Sequence, residues 1–218
     1  MKETSIAILD YGVGNVKSIT NGFRKVGVRN ILTNDPAKIM AADGCILPGV
    51  GAFAFGMKSL ARHKLVDTIH AFAESGKPLM GICLGMQLLL EESDEFGVTK
   101  GLGLIPGRVE KMQCPTDSTI RLPHVCWNHI YEPNTQVWDN SVLETTDKNE
   151  DVYFIHSFVA KPTDPDNVLC MTQYENIEFC SGVKKANIMG VQFHPEKSGR
   201  AGLNILRSFA KLCDGELV

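Results

Sequence analysis

The chain has 218 residues, 44% of them hydrophobic and 22% charged, which is enough to bury one sizeable core and fits a single domain, 1–218. A formal net charge of −3 and a pI near 6.1 offer no basic field to a phosphate backbone and argue against a nucleic-acid partner. The apolar stretch Ile6 to Leu9 is too short for a signal-peptide core or a membrane span, so a cytoplasmic protein with no membrane association is expected.

In chain order, Ile6 to Leu9 reads as a strand, followed by a Gly-rich loop and a helix from about Asn15 to Val26. Next come a strand at Ile31-Leu32, a short helix from Pro36 to Ala41 and a strand at Cys45 to Leu47, a βαβ grammar. Ala61, Leu65, Ile69 and Phe72 stripe one face of a predicted helix from about Gly56 to Glu74. Pro78 to Ile82 is a buried strand, and Leu84 to Glu92 the helix after it. From Gly101 to Glu150 the pattern turns irregular and is punctuated by Pro106, Pro115, Pro123, Pro133 and Asn134, which suits hairpins better than crossover helices. Strands return at 152–155, 168–171, 179–183 and 188–193. A last helix carries Leu203, Leu206, Ala210 and Cys213 on one face. The pattern predicts a three-layer α/β fold, a flavodoxin-like sheet flanked by helices, with an antiparallel extension in its second half.

Seven cysteines without a C-x-x-C pair suit neither a disulfide framework nor a zinc knuckle, and read as reduced thiols. Cys83 differs from the rest. In Gly81-Ile82-Cys83-Leu84-Gly85 it stands where a buried strand meets a helix, the nucleophile-elbow arrangement with sulfur in place of oxygen. Glycines at 81 and 85 allow a tight turn, and a helix amino end favours thiolate. Taken alone, a packed cysteine at a strand-to-helix corner reads the same way. Gln192-Phe193-His194-Pro195-Glu196 follows another apolar strand, which sets His194 on the carboxyl edge of the sheet where open α/β folds bind ligands. There His194 can accept the thiol proton while Glu196 orients it. Pro48-Gly49-Val50-Gly51 is a small-residue loop after a strand. Backbone N–H groups at Val50 and Gly51, with that of Leu84, are suited to an oxyanion, although an ordinary turn has the same composition.

These motifs, in this order, resemble the triad (class I) glutamine amidotransferases, whose hallmarks are G-x-C-x-G and H-P-E. Asp10-Tyr11-Gly12-Val13-Gly14-Asn15, Pro123-His124 with Trp127-Asn128, Tyr153 to Phe158 and Lys197-Ser198 narrow the resemblance. They point to the branch formed by glutaminase subunits of imidazole glycerol phosphate synthases, and the match covers essentially the whole chain. The resemblance implies Cys83 as nucleophile, His194 as acid/base and Glu196 as its partner. It also implies that Gln87, Glu95 and the backbone of His156, Ser157 and Phe158 hold the glutamine substrate, and that Asn15 and Lys197 lie toward a (βα)8-barrel cyclase/synthase in a heterodimer. Without the family, Gln87 reads equally as a solvated helix residue, Glu95 as one acid among several, and His156 as a satisfied histidine at a strand end.

No cofactor is expected. Gly12-Val13-Gly14 is followed by Lys17 where a dinucleotide fingerprint needs glycine, and no Gly-Lys-Ser/Thr is present. His124, Cys126 and His129 have no further ligand cluster, so no metal site is expected. Cys126 stands where family members usually have glycine, which leaves room for a paralogue feeding ammonia to another synthase, for instance one aminating a surface sugar. Two other classes stand beside it, a stand-alone cysteine hydrolase or peptidase and a catalytically silent scaffold subunit, which an intact Cys, His and Glu set argues against.

Overall fold

A computed structural model describes residues 4–115, 120–147 and 150–215. The first half runs β1 (Ser5–Leu9), α1 (Val16–Lys25), β2 (Arg29–Thr33), α2 (Pro36–Ala41), β3 (Gly44–Leu47), α3 (Phe53–Arg62), α4 (Val66–Glu74), β4 (Leu79–Ile82) and α5 (Leu84–Leu88). The second half is strand-rich. It comprises β5 (Glu92–Ser93), β6 (Thr99–Lys100), β7 (Gly107–Lys111), β8 (His124–His129), β9 (Asp151–His156), β10 (Phe158–Pro162), β11 (Val168–Tyr174), β12 (Ile177–Lys185), β13 (Ile188–Val191) and α6 (Gly199–Asp214).

The large sheet has the order β2-β1-β3-β4-β13-β12-β10-β7-β5-β6, with β11 alongside β12. Strands β2, β1, β3, β4 and β13 are parallel, in the order of a flavodoxin-like sheet. The antiparallel extension begins where β12 pairs with β13 and continues through β10 and β7. The predicted α/β class and its antiparallel extension are therefore both present. Strands β8 and β9 form a separate ribbon.

Alternation along β1 explains the layers, because successive side chains on a strand point to opposite faces. Ile6 and Ile8 join one core cluster with Ile19 and Phe23 of α1, Ile205 and Phe209 of α6, and Phe154 of the ribbon. Ala7 and Leu9 join the other, with Ile39, Leu60, Ile69, Phe72 and Leu88 of α2 to α5. Both faces being covered, the central strands are apolar at every position, as parallel sheets require. Among the described residues no helix is long and apolar enough to cross a membrane.

Two predicted helices are corrected. The stretch 56–74 is two helices, broken at Lys64, which takes a left-handed φ of 56° while Leu65 N–H closes back onto the Leu60 carbonyl. Ala61, assigned to the buried stripe, is exposed, and Leu60 takes its place. The helix predicted over 84–92 stops at Leu88, because the returning segment takes its last carbonyls. The N–H groups of Leu102 and Leu104 donate to Leu88 and Leu89 at 2.9 Å each, and Gly103 N–H to Leu90 at 3.0 Å. Tertiary hydrogen bonds thus replace the helical ones that periodicity anticipated. Phe209 is fully buried, with its ring 6.3 Å from that of Phe23. Phe209→Ala is expected to cost about 3–5 kcal/mol, read from the urea unfolding midpoint.

Candidate active site

Three adjacent strands deliver the site. Strand β3 pairs with β4, and β4 with β13, so the chain leaves the sheet at Pro48, Cys83 and Gln192 side by side. Cys83 has φ 55° and ψ −112°, a strained setting for a residue with a Cβ. Its N–H is held at 2.8 Å by the carbonyl of Val191, so the elbow is pinned to the strand that carries the histidine. A methyl at Gly81 would lie 2.6 Å from the backbone of Gly85, and one at Gly85 would run into the carbonyl of Leu47. Both glycines are therefore required by close backbone approach, the first within the elbow and the second toward β3. The dipole expected to favour thiolate is weaker than anticipated, since α5 has only five residues.

His194 and Glu196 meet across a single 3-10 turn, with Nδ1 2.8 Å from Oε1. Both side chains are sealed from solvent, at 2% and 0% exposure. Because Nδ1–H is spent on the carboxylate, Nε2 is left for the sulfur; it is buried and without a hydrogen bond among the described residues. Burial lowers the imidazole pKa, but the neighbouring Cys83 sulfur and Glu196 carboxylate outweigh it and hold His194 up at about 10.

A cavity of about 530 Å³ opens over Cys83 and His194. It is lined by Val50, Gly51, Leu84, Gln87, Glu95 and the turn His156-Ser157-Phe158, so the residues predicted for oxyanion and substrate come together there. Gln87 is buried rather than solvated: its Nε2 donates to the Phe158 carbonyl at 3.2 Å and to Gln192 Oε1 at 2.9 Å. Glu95 has a second task, since its Oε2 accepts the N–H of Phe53 at 2.7 Å at the start of α3. Lys197 lines the same cavity with its ammonium 5.5 Å from the Tyr153 ring, whereas Asn15 lies off it as the N-cap of α1. The Asp10–Asn15 loop touches the loop after β3 through Tyr11, whose hydroxyl donates to the Pro48 carbonyl at 2.5 Å.

Two polar groups near the cavity, Gln192 and His124, are not marked as site residues by the sequence, and the ring of His156 links to the second of them. Gln192 is fully buried with Nε2 3.7 Å from Cys83 Sγ. Its signal was its position two residues before His194, which puts both side chains on one side of an extended chain. His156 Nδ1 donates to the Phe158 carbonyl at 2.9 Å, and its Nε2 lies 3.0 Å from Nδ1 of His124. A carbonyl can only accept, so neutral His156 carries its one proton on Nδ1, and its Nε2 accepts a hydrogen bond from Nδ1–H of His124. Nε2 of His124 then accepts from Asn128 at 3.2 Å and from the Cys126 thiol at 3.0 Å. The Cys126 thiol thus serves the outer end of this chain. Among the described residues no group of three or more His, Cys, Asp or Glu is placed to hold a metal ion.

Sulfur, imidazole and carboxylate in series at the carboxyl edge of a parallel sheet are the arrangement of a cysteine-nucleophile enzyme of the α/β class. The chain belongs to the class-I glutamine amidotransferases, whose family model matches residues 7–212. Curated relatives are similar along nearly the whole length. Imidazole glycerol phosphate synthase subunit HisH of Lacticaseibacillus casei (strain BL23) is 46% identical over 211 residues, 97% of each chain. Subunit HisH of Listeria innocua serovar 6a is 44% identical over 209 residues, 96% of each chain. Subunit HisH 1 of Legionella pneumophila (strain Lens) is 42% identical over 212 residues, 96% of this chain and 100% of that one. Among solved structures, PurLQS from Thermotoga maritima superposes with a TM-score of 0.70 at 21% identity, covering 95% of this chain and 98% of that one. The acivicin-bound glutaminase domain of Trypanosoma brucei CTPS gives 0.66 at 15%, covering 97% and 94%. At such identities these two structures speak to the fold alone.

The buried histidine pair sets an acid limit on stability. Burial pushes His124 down to about 4 and His156 down to about 3, so both are neutral in the folded chain. Unfolded, each binds a proton near pH 6.5, so the unfolded state holds more protons below that pH and stability falls as pH drops from about 6.5 toward 4. The denaturation midpoint is expected to decline from about pH 6.5 to 5, before most carboxylates titrate, and the double variant His124→Phe, His156→Phe to lose that slope.

Proposed function

We propose that this protein is the glutaminase subunit of an imidazole glycerol phosphate synthase, acting in histidine biosynthesis as a cytoplasmic heterodimer with a (βα)8-barrel cyclase. The reading is carried by one observation: Cys83, on its positive-φ elbow, shares a single pocket with a His194 that is buried and held by Glu196. Relatives that are 42–46% identical over 96–97% of the chain support the pathway.

In this reading glutamine enters the cavity with its carboxamide toward Cys83. Its amino-acid end is held by Gln87, Glu95 and the backbone of His156, Ser157 and Phe158. Both N–H bonds of the Gln87 amide are used within the protein, so its carbonyl oxygen is what remains for the substrate's ammonium group. The Cys83 thiolate attacks the carboxamide carbon, and the oxyanion is stabilised by backbone N–H groups of Leu84, Val50 and Gly51. Leu84, as the first residue of α5, carries one of the N–H groups that a helix start leaves unpaired. His194 then gives its proton to the departing ammonia, and a water deprotonated by the same ring hydrolyses the glutamyl thioester to glutamate. Ammonia passes to the cyclase, which makes imidazole glycerol phosphate and an aminoimidazole carboxamide ribotide. Asn15 and Lys197 face that partner, and the Tyr11–Pro48 hydrogen bond ties the partner-facing loop to the oxyanion loop.

Cys83→Ala is expected to abolish glutamate release while still forming the complex by size-exclusion chromatography; residual glutamine hydrolysis by that variant would show the nucleophile to be misassigned. Glu196→Ala should lower kcat by about 10²-fold, less than loss of the nucleophile, because a misoriented imidazole still transfers protons. Glutamine turnover should be low for the isolated chain and strongly stimulated by the cyclase; equal rates with and without it would count against a dedicated ammonia donor.

A further inference from the structure

Among the described residues, Sγ of Cys83 has three hydrogen-bonding neighbours, and they do not favour the same protonation state. The imidazole of His194 is one. The carbonyl of Ile155, 4.0 Å away, offers lone pairs only and favours the protonated thiol. The amide of Gln192 is the third, and its effect depends on which end it turns to the sulfur. An amide nitrogen donates to a thiolate, whereas an amide oxygen would repel it.

Its neighbours settle that orientation. The main-chain carbonyl of Phe158 accepts and cannot donate, so the Gln87 side chain must turn its nitrogen toward it, at 3.2 Å. The same nitrogen lies 2.9 Å from Gln192, which must therefore present its oxygen to Gln87. The other end of the Gln192 amide, its Nε2, is then the atom 3.7 Å from the sulfur. His156, bonded to the same carbonyl at 2.9 Å, holds that carbonyl in place. Turning Gln192 over would set its amino group against that of Gln87, donor against donor, and its oxygen against the sulfur, in a position with no access to water.

We propose that Gln192 is a fourth catalytic side chain, donating its amide N–H to the Cys83 thiolate, with its polarity imposed by the Phe158 carbonyl through Gln87. The inference deepens the glutaminase reading and rests on it for the reaction that the thiolate performs. Other ionisable groups near the sulfur do not duplicate the role. The Tyr11 hydroxyl is spent on the Pro48 carbonyl, and burial raises its pKa. His156 is neutral and bonded at both ring nitrogens, and Glu196 reaches the sulfur only through His194. Glu95, Lys111 and Lys197 line the cavity and are unchanged by replacing Gln192.

The test is the pH profile of Cys83 alkylation by iodoacetamide in the full chain, quantified by mass spectrometry of the Cys83 peptide, for wild type, Gln192→Met and Gln192→Glu. Loss of a hydrogen bond to a charged sulfur should move the apparent midpoint of the Cys83–His194 pair up by about one pH unit in Q192M. Q192E, which turns an oxygen to the sulfur, should move it further. With the cyclase present, kcat of Q192M should fall by about tenfold and KM stay within about twofold, because Gln192 touches the nucleophile and not the substrate. Coincident profiles for wild type and Q192M would overturn the proposal, as would a Q192E midpoint at or below that of Q192M. Should Q192E fail to fold by circular dichroism, Q192M decides alone. Absence of glutamine turnover by wild type with its cyclase would instead refute the glutaminase reading, while the alkylation profiles would still judge Gln192.

Discussion

The site depends on backbone meeting backbone where β3, β4 and β13 end. No side chain fits between Gly85 and the Leu47 carbonyl, and the elbow's own N–H is bonded to Val191, so the loops leaving three neighbouring strands are locked at van der Waals distance. Everything chemical follows from that closeness. Cys83 is held at a positive φ that an isolated peptide would rarely adopt, and the cost is met by the sheet on both sides rather than by any contact of the thiol. Geometry of this kind pre-organises a nucleophile before any substrate arrives.

Around that fixed point the polar groups form two arms. One is the ion-pair arm, in which Glu196 binds His194 and His194 faces the sulfur. The other is built wholly from uncharged groups, running from Cys126 and Asn128 through His124 and His156 to the Phe158 carbonyl, and from there through Gln87 and Gln192 to the same sulfur. Each donor in the second arm has a direction that follows from one main-chain acceptor, and this is what keeps two deeply buried imidazoles satisfied. Burial suppresses their charge, whereas a paired carboxylate and sulfur sustain it on His194, so three histidines in one region titrate in opposite directions for separable reasons.

Much of this was legible in the sequence because it was local. The elbow, the H-P-E turn and the alternation of β1 are each written within about five consecutive residues, and the parallel order follows from strand–helix grammar. What was not legible was set by partners distant in the chain. Periodicity ran straight through Lys64 and past Leu88, and only the closing bond to Leu60 and the donors from Leu102 to Leu104 end those helices. Glu95 read as a substrate residue, and nothing nearby announced that it also caps a helix more than forty residues earlier. His156 was read through its backbone, with its ring as a satisfied strand-end histidine; the structure agrees, and adds that the satisfaction comes from a second histidine. Gln192 lies in the same short motif as His194 and Glu196, but an uncharged amide carries no mark in the sequence, and its role depends on Gln87, more than a hundred residues earlier.

The chain order of the sheet has a bearing on the protein's synthesis. Strand β13 lies between β4 and β12 but is synthesised about a hundred residues after the cysteine. Until it inserts, β4 is an open sheet edge, and Cys83 has neither its backbone tether to Val191 nor an imidazole to take its proton. An incomplete polypeptide therefore bears an ordinary, poorly nucleophilic thiol beside a sticky margin. Reactivity and solubility arrive together, with the same four-residue strand.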